Sequence, residues 1–432
     1  MINFLKLLIF IFLLSCSMGD VGGFWTKEKD LKNERLEFKP LFKKDNIASK
    51  EFNSNFEFLL SKKDLKLNNK SKTDNNDGYV LFNGKLEKMQ KHNFSKIRNF
   101  KSLEPNIIFY NDDLIFFDNS GSILSFGNNG KLNWKINDYS KNEKKIGPLI
   151  SMIENKGQLY ISDDLSKFYK IDIDERKIIW SKKNELPFNS KIKFYNDKIY
   201  VVDTNNNLNC FSANDGKFLW KHQTEKSFIN SSKKLSILVK DQLVIFSNSL
   251  GDITALNVNN GSLVWQKFTQ NSKIYEDIMT LKTSNLIEDD GSIYFSNNKN
   301  QFYSIDLDTG ITNWIQNINS NIKPAVIGKF IFTISLDGYF FIIEKNSGNI
   351  LRITNIFDQF KKDKSENIQP TGFIFNHQNL FVSSSNGKLI TVNIKNGKVK
   401  NILKIGNNII SRPFVKNEKM YLIKNNSIIR LN

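Results

Sequence analysis

The feature that most constrains this chain is a short pattern that recurs along most of its length. Each copy has a polar pair, usually followed by a glycine, and ends four positions after that glycine. Five copies end in tryptophan and two weaker ones do not: Trp134, Trp180, Trp220, Trp265, Trp314, Arg352 and Asn401. Successive copies lie 38 to 49 residues apart. A period in this range is typical of folds in which each repeat packs on its neighbours.

The glycine of the pattern indicates a tight turn with positive φ. One copy, Asp308-Thr309-Gly310, has the form of an aspartic protease active-site triplet. Other copies have NNG, NDG, NSG or KNG at the same place. A protease needs its acid in both lobes, whereas here the acid is not kept among the copies. We therefore interpret the triplet as one variant of a structural turn.

Around each turn the sequence has the pattern of four short antiparallel strands. An alternating apolar strand precedes the turn, and a glycine-containing hairpin joins it to the strand before. The aromatic residue after the turn is large enough to fill the gap between adjacent sheets, so the five tryptophans are predicted to be blade-packing residues. Four-stranded units at this period predict an all-β fold, a β-propeller of antiparallel blades.

The predicted number of blades is eight, and seven is the alternative. Seven complete copies lie between residues 104 and 411, and an eighth begins at Arg412 and reaches Asn432 without a fourth strand. The stretch Asn83–Phe94 resembles the missing strand, with Gly84 at the position of the turn glycine. The propeller domain is therefore predicted to span residues 79–432 and to close with a strand from its own N-terminal side.

Residues 1–15 are predicted to be a lipoprotein signal peptide. Lys6 precedes an apolar run, Leu7–Leu14, that is too short to span a bilayer and fits a secretory signal. The run ends in Leu-Leu-Ser-Cys16, which resembles the bacterial lipobox, where the cysteine carries lipid such as palmitate. Ser17 follows it, and by resemblance to the usual sorting rule a residue other than aspartate there favours the outer membrane.

Residues 16–78 are predicted to be a lipidated N-terminus and a flexible tether. This segment is rich in Lys, Asn, Asp and Ser, a composition typical of chains that bury little apolar surface. Within it, Phe56–Leu67 is more apolar and is a candidate to dock on the ring.

The chain is basic, with a formal net charge of +18. Such a balance can favour nucleic acid, anionic lipid or an acidic partner. The lysines are scattered and form no recognised nucleic-acid motif. No nucleic-acid partner is predicted, and a Lys- and Asn-rich genome bias is the simpler explanation of the charge.

The repeat, seen in full as IDLDTGITNW at 305–314, resembles the PQQ-like repeat. Together with the lipobox and the eight predicted blades, it is similar to the BamB family of lipoproteins. The resemblance implies a non-catalytic scaffold of the outer-membrane β-barrel assembly (BAM) complex, lipid-anchored to the outer membrane and facing the periplasm. The implied partners are the POTRA domains of BamA and nascent outer-membrane proteins, with no cofactor. The alternatives are a periplasmic ligand- or polymer-binding propeller lipoprotein and, less well supported, a PQQ-dependent quinoprotein dehydrogenase.

The dehydrogenase alternative fits the residues poorly. By resemblance, such enzymes hold Ca²⁺ and an adjacent-cysteine disulfide beside the quinone, but this sequence has only Cys16 and Cys210. Cys210 aligns with Ala255 and Ser304, in a small inward position that predicts a core role. The three histidines show no metal-ligand spacing. No catalytic residue and no metal ligand are therefore predicted.

The resemblance places the partner-binding surface on the loops that follow the third and fourth tryptophans. The first loop reads KHQTEKSFINSSKKL, with Phe228 and Ile229 where the family usually has leucine and arginine. The second reads QKFTQNSKIYEDIMTLKTS, with Thr280 and Lys282 in place of paired aspartates. Apolar anchors with an acidic rim are predicted from these loops: Phe228, Ile229, Tyr275, Glu276 and Asp277.

The lipobox predicts that mass spectrometry of the mature N-terminus will show a diacylated or triacylated Cys16. Replacing the cysteine by Cys16→Ala should release the chain from membranes in a fractionation experiment, because the acyl chains supply the anchoring surface. An unmodified N-terminus elsewhere in the chain, or unchanged membrane attachment of the variant, would contradict the lipoprotein assignment.

Overall fold

Eight four-stranded antiparallel sheets form the ring, as predicted. The computed structural model describes residues 50–60, 82–87, 89–98, 100, 104–269, 280–360 and 368–432. The signal peptide and Cys16 lie outside this range. All the described residues belong to one compact unit, residues 47–432. Seven blades are built from four consecutive strands, and the eighth takes its outer strand from the N-terminal side of the ring.

The strands of the first four blades, from inner to outer, are β2–β5 (Ile108–Tyr110, Asp113–Phe117, Ile123–Phe126, Leu132–Ile136), β6–β9 (Ile150–Asn155, Gln158–Asp163, Lys167–Asp172, Lys177–Lys183), β10–β13 (Lys193–Tyr195, Lys198–Val202, Asn207–Ser212, Phe218–Gln223) and β14–β17 (Ile237–Lys240, Leu243–Ser247, Ile253–Asn257, Leu263–Lys267). A short helix, α1 (Lys141–Ile146), begins after Ser140 in a capping box with Glu143.

The remaining blades are β18–β21 (Ile287–Asp289, Ser292–Asn297, Gln301–Asp306, Thr312–Gln316), β22–β25 (Ala325–Ile327, Phe330–Ile334, Tyr339–Glu344, Ile350–Asn355), β26–β29 (Pro370–Phe375, Asn379–Ser384, Lys388–Asn393, Val399–Lys404) and β30–β32 (Phe414–Lys416, Lys419–Lys424, Ser427–Leu431) with β1 (Met89–Asn93). No helix among the described residues is long and apolar enough to cross a membrane.

The repeated turn has the predicted left-handed glycine. All six turn glycines have φ between 69° and 80°. In blade 5 the Gly310 amide donates to the carbonyl of Asp306 at 3.0 Å. The Asp306 carboxylate accepts from the amides of Asp308 and Thr309 at 3.2 and 2.9 Å. The Asp-Thr-Gly triplet therefore forms the turn between β20 and β21, as predicted. In blade 2 Arg176 takes the glycine position with φ 57°.

The aromatic residue of one blade lies against the turn glycine of the next. A Cβ built on Gly261 would lie 2.4 Å from the Trp220 ring, and one on Gly310 would lie 2.6 Å from the Trp265 ring. Two further pairs repeat this contact: Trp180 with Gly216 and Trp314 with Gly348. The indole N–H of Trp265 also donates to the carbonyl of Leu307 at 3.0 Å. At these four turns the glycine therefore provides both the positive φ and the clearance for the ring.

The hydrophobic core is divided among the spaces between neighbouring sheets. Tyr200 and Cys210 of blade 3 cluster with Val244 and Leu256 of blade 4. Trp134 packs, partly buried, on the cluster that blades 1 and 2 share. A sheet of this kind buries both faces only when it has a neighbour on each side, which the ring provides.

The ring closes with β1, within the stretch expected from the sequence. Met89 pairs with Leu431 and Asn93 with Ser427 in an antiparallel ladder. The expectation for Gly84 was wrong, since this residue does not have positive φ. The residue that lies against the turn glycine of blade 1, Gly130, is Gln90.

The register differs because a long-range contact fixes the path of the chain ahead of β1. The Phe82 ring is fully buried in the cluster shared by blades 7 and 8. Its amide donates to the carbonyl of Phe375 at 2.8 Å. Phe82 therefore pairs with blade 7, and the outer strand of blade 8 begins only at Met89.

Part of the apolar segment ahead of the ring docks on blades 6 and 7, as expected, although docking begins before Phe56. Phe52 and Ile353 exchange two backbone hydrogen bonds of 3.1 and 3.0 Å. The Phe58 ring is buried among apolar residues of the two blades. This segment extends the edge of β25 by one bridge and covers the gap beside it.

Arg352 holds the docked segment. It stands where other blades have tryptophan and is fully buried. Its guanidinium donates to the carbonyls of Phe56 at 3.0 Å, Lys395 at 2.7 Å and Ile394 at 2.6 Å. Burial lowers the pKa of Arg352 to about 10. The arginine thus joins blade 6, blade 7 and the N-terminal segment through one planar group.

Deleting residues 79–95 is expected to lower the melting temperature sharply, because it leaves β32 as an unpaired edge and uncovers apolar side chains. Thermal unfolding followed by circular dichroism measures the effect. Deleting residues 26–48, which precede the docked segment, is the control and should leave the melting temperature nearly unchanged. Equal losses from the two deletions would contradict the role of β1.

Replacing Arg352 by methionine should lower the free energy of unfolding by about 2–4 kcal/mol, because one buried and two partly buried carbonyls lose their donors. Denaturant unfolding measures this loss. Lys395→Met is the matched control, since Lys395 is half-exposed and its ion pair with Glu57 is a surface contact. The control should change stability by less than about 0.5 kcal/mol. Equal stabilities of the two variants would argue against the bridging role of the arginine.

Candidate functional site

The partner-binding residues predicted from the sequence belong to two connectors between blades. The first connector, residues 224–236, joins β13 to β14, and the second connector, residues 268–286, joins β17 to β18. Because the four strands of a blade alternate in direction, the described parts of both connectors lie on the face opposite the glycine turns. We call this the connector face. Tyr275, Glu276 and Asp277 lie outside the described residues.

Phe228 projects from the tip of the first connector. Its side chain is 93% exposed, the largest value among the exposed large apolar residues of the described chain. The Ser227 hydroxyl donates to the carbonyl of Ile229 at 2.6 Å and lies 3.2 Å from the Ile229 amide. This local turn directs the intervening phenyl ring to solvent and leaves Ile229 half-buried. Phe228 is thus accessible to a partner, whereas Ile229, also predicted to bind the partner, is less accessible.

Asn206 holds the base of the first connector. Its side-chain amide donates to the backbone carbonyl of Glu225 at 3.0 Å, and its backbone carbonyl accepts from the Thr224 hydroxyl at 2.9 Å. Asn206 is fully buried with φ 62°. The sequence marks this residue as part of a turn between β11 and β12, since asparagine tolerates positive φ, but it does not indicate contact with the connector.

The two connectors are joined at their C-terminal ends. The Leu286 amide donates to the Ser236 hydroxyl at 3.0 Å, and the Ser231 hydroxyl lies 3.5 Å from the carbonyl of Leu281. Thr280 and Lys282 stand where the family pattern has aspartates, and Asn298 binds the backbone of both residues. Its side chain donates to the carbonyl of Thr280 and accepts from the amide of Lys282, both at 2.7 Å.

Cys210 lies in the core, as its sequence position predicts. It is fully buried in β12, opposite Tyr200 on one side and Trp220 on the other. Burial raises the pKa of the Cys210 thiol to about 12. The thiolate needed for nucleophilic or redox chemistry is therefore suppressed at neutral pH.

The histidines are not arranged as a metal site. Burial lowers the pKa of both His92 and His222, so each favours the neutral form. Within the part of the chain that the structure describes, no group of three or more His, Cys, Asp or Glu side chains could hold a metal ion. Among the described residues, the candidate site is therefore the exposed tip of the first connector, and the Cys210 thiol is part of the core.

A family model described as outer membrane protein assembly factor BamB matches residues 119–354, more than half of the chain. The chain belongs to this family. The match runs from the turn between β3 and β4 of blade 1 to β25 of blade 6, and it includes both connectors.

Two relatives and a solved structure are also similar to this chain. An uncharacterized protein of Rickettsia prowazekii (strain Madrid E), RP232, is 24% identical over 373 residues, 82% of this chain and 86% of the relative. RC0314 of Rickettsia conorii (strain ATCC VR-613 / Malish 7) is 23% identical over 376 residues, 82% and 88% respectively. The crystal structure of BamB from Moraxella catarrhalis has a TM-score of 0.62 at 16% identity, covering 79% of this chain and 100% of that one. At that identity the likeness shows a shared fold.

Proposed function

We propose that this member of the BamB family is a non-catalytic scaffold lipoprotein of the outer-membrane β-barrel assembly complex, anchored by Cys16 and facing the periplasm. The observation that carries the proposal is the exposure of Phe228 on the connector where the family meets its partner. Family membership supports the assembly role, and the buried, largely protonated thiol of Cys210 is suited to a place in the core.

The partner proposed is a POTRA domain of BamA. An exposed phenyl ring gains about 1.5–3 kcal/mol when it is transferred from water into an apolar pocket. A single aromatic anchor of this kind typically dominates the energy of a small interface. Phe228 meets this requirement because the Ser227 turn already holds the loop in shape, so that little conformational entropy is lost on binding.

The second connector contributes the rim of the proposed interface. The hydrogen bond from Leu286 to Ser236 keeps its described end beside the first connector. Tyr275 would supply a second aromatic anchor, and Glu276 and Asp277 an acidic rim. Exposed rim charges mainly steer encounter and add little affinity. A POTRA sheet edge would meet such a surface by backbone pairing, with the aromatic anchors in its pockets.

Phe228→Ala is expected to weaken binding to the partner about thirtyfold, corresponding to about 2 kcal/mol. Phe228→Ala with Tyr275→Ala should abolish co-purification with BamA from cross-linked membranes. The melting temperature should barely change, because the Phe228 side chain is almost fully exposed in the free protein.

Phe218→Ala is the matched control. Phe218 is also exposed, at 56%, and belongs to β13 of the same blade, but it begins the strand at the opposite face. This variant should retain the partner. Full co-purification of a folded double variant would place the interface on other blades. Absence of BamA from the wild-type sample would favour the periplasmic polymer-binding alternative.

A further inference from the structure

A cavity opens on the axis of the ring at the connector face. Its volume is about 290 Å³, close to the lower end of the range for small-molecule sites. The lining comes from residues that lead into the inner strands of blades 1, 4, 5, 6, 7 and 8. Because six blades meet there, the cavity is a property of the closed ring, and it is separate from the tip of the first connector.

The lining is strongly basic. Lys233, Lys282, Lys323 and Arg412 line the cavity, each just ahead of the inner strand of a different blade. Among the described lining residues, Glu104 is the one carboxylate. Among the described lining residues, basic groups thus outnumber carboxylates by four to one.

The single carboxylate is already engaged by two lysines. One Glu104 oxygen lies 2.9 Å from Lys191 Nζ and the other lies 2.9 Å from Lys233 Nζ. Burial alone would raise the pKa of Glu104, but the two ion pairs hold it well below its usual range. Glu104 thus remains charged and leaves little capacity for the other basic groups.

Lys233 shows the effect of the excess charge. Burial lowers the pKa of Lys233, Glu104 opposes the shift, and the positive charges of Lys191 and Lys282 lower it further. Bringing like charges together in a poorly solvated space is unfavourable. An additional negative charge in the cavity would relieve this repulsion.

Arg412 is held at the cavity by its neighbours. Its guanidinium lies 4.5 Å from the centre of the Phe414 ring, and Nη2 donates to the Asn106 side chain at 3.3 Å. Gly372, on the adjoining inner strand, provides the space, since a Cβ there would lie 2.3 Å from the Arg412 Cβ. A planar, positioned guanidinium of this kind suits paired oxygens of a carboxylate or phosphoryl group.

We propose that this cavity binds a small polyanion that carries two or more carboxylate or phosphoryl groups. Lys282 and Arg412 bind the ligand directly, and the Glu104–Lys233 pair lies beside it. Binding goes beyond the proposed scaffold function, since it needs no protein partner. The ligand joins residues of several blades, so an occupied ring should be more stable than an empty one.

Pyrophosphate and citrate are the two probes. Isothermal titration calorimetry on the full chain, at constant ionic strength, should show saturable binding of one probe molecule per chain, and the same probe should raise the melting temperature. Binding of pyrophosphate alone assigns a phosphoryl ligand, and binding of citrate alone assigns a carboxylate ligand. Heat that does not saturate with either probe, together with an unchanged melting temperature, overturns the proposal.

Lys282→Gln and Arg412→Gln should each weaken the bound probe about tenfold, since each removes a charge-assisted hydrogen bond. Lys217→Gln is the control, because Lys217 is 79% exposed on an outer turn, and it should bind as the wild type does. Equal affinities of all three variants would place the anion elsewhere and overturn the site.

Glu104→Gln tests whether the affinity for the probe rises when a negative charge is removed from the cavity. Removing the one carboxylate raises the positive charge of the cavity, so a folded variant should bind the probe more tightly than the wild type. Weaker binding by a variant with a native circular dichroism spectrum would contradict the electrostatic argument. If Glu104→Gln does not fold, the two glutamine variants at Lys282 and Arg412 decide.

Discussion

The contact between an outer-strand ring and the turn glycine of the next blade is the interaction on which this propeller depends. Trp220 on Gly261 and Trp265 on Gly310 each join two sheets at their outer rim. The same glycine also has the left-handed backbone of the turn, where any side chain would be strained. One residue type therefore satisfies a local and a tertiary requirement at once, and the short-range pattern reports the long-range packing.

This coincidence explains why the fold was predictable while parts of the chain path were not. The period and the turn glycines were sufficient for the eight blades, since each blade repeats a local pattern. The position of Gly84 was misleading, because it lies in a turn-like sequence whereas burial of Phe82 against blades 7 and 8 decides the register. Arg352 looked like a degenerate copy of tryptophan. Its hydrogen bonds to the carbonyls of Phe56 and Ile394 join segments far apart in sequence.

The candidate sites were predictable to different degrees. The location of Phe228 followed from family resemblance, but its exposure depends on the turn made by Ser227 and Ile229. The basic cavity was missed altogether. A lysine or arginine ahead of several inner strands is visible in the sequence, as at Lys282 and Arg412. Convergence of these residues on one axis becomes evident only when the ring is closed.

The closing strand also sets the order in which the molecule can be completed. β1 ends at Asn93 and its partner β32 begins at Ser427, so the first strand of the ring to be synthesised waits for the last. The entropy of closing so long a loop grows only slowly with its length, but contacts between distant segments form late. Until then the edge of blade 8 is free to pair with other chains. Before β1 pairs with β32, the chain is most exposed to aggregation and proteolysis.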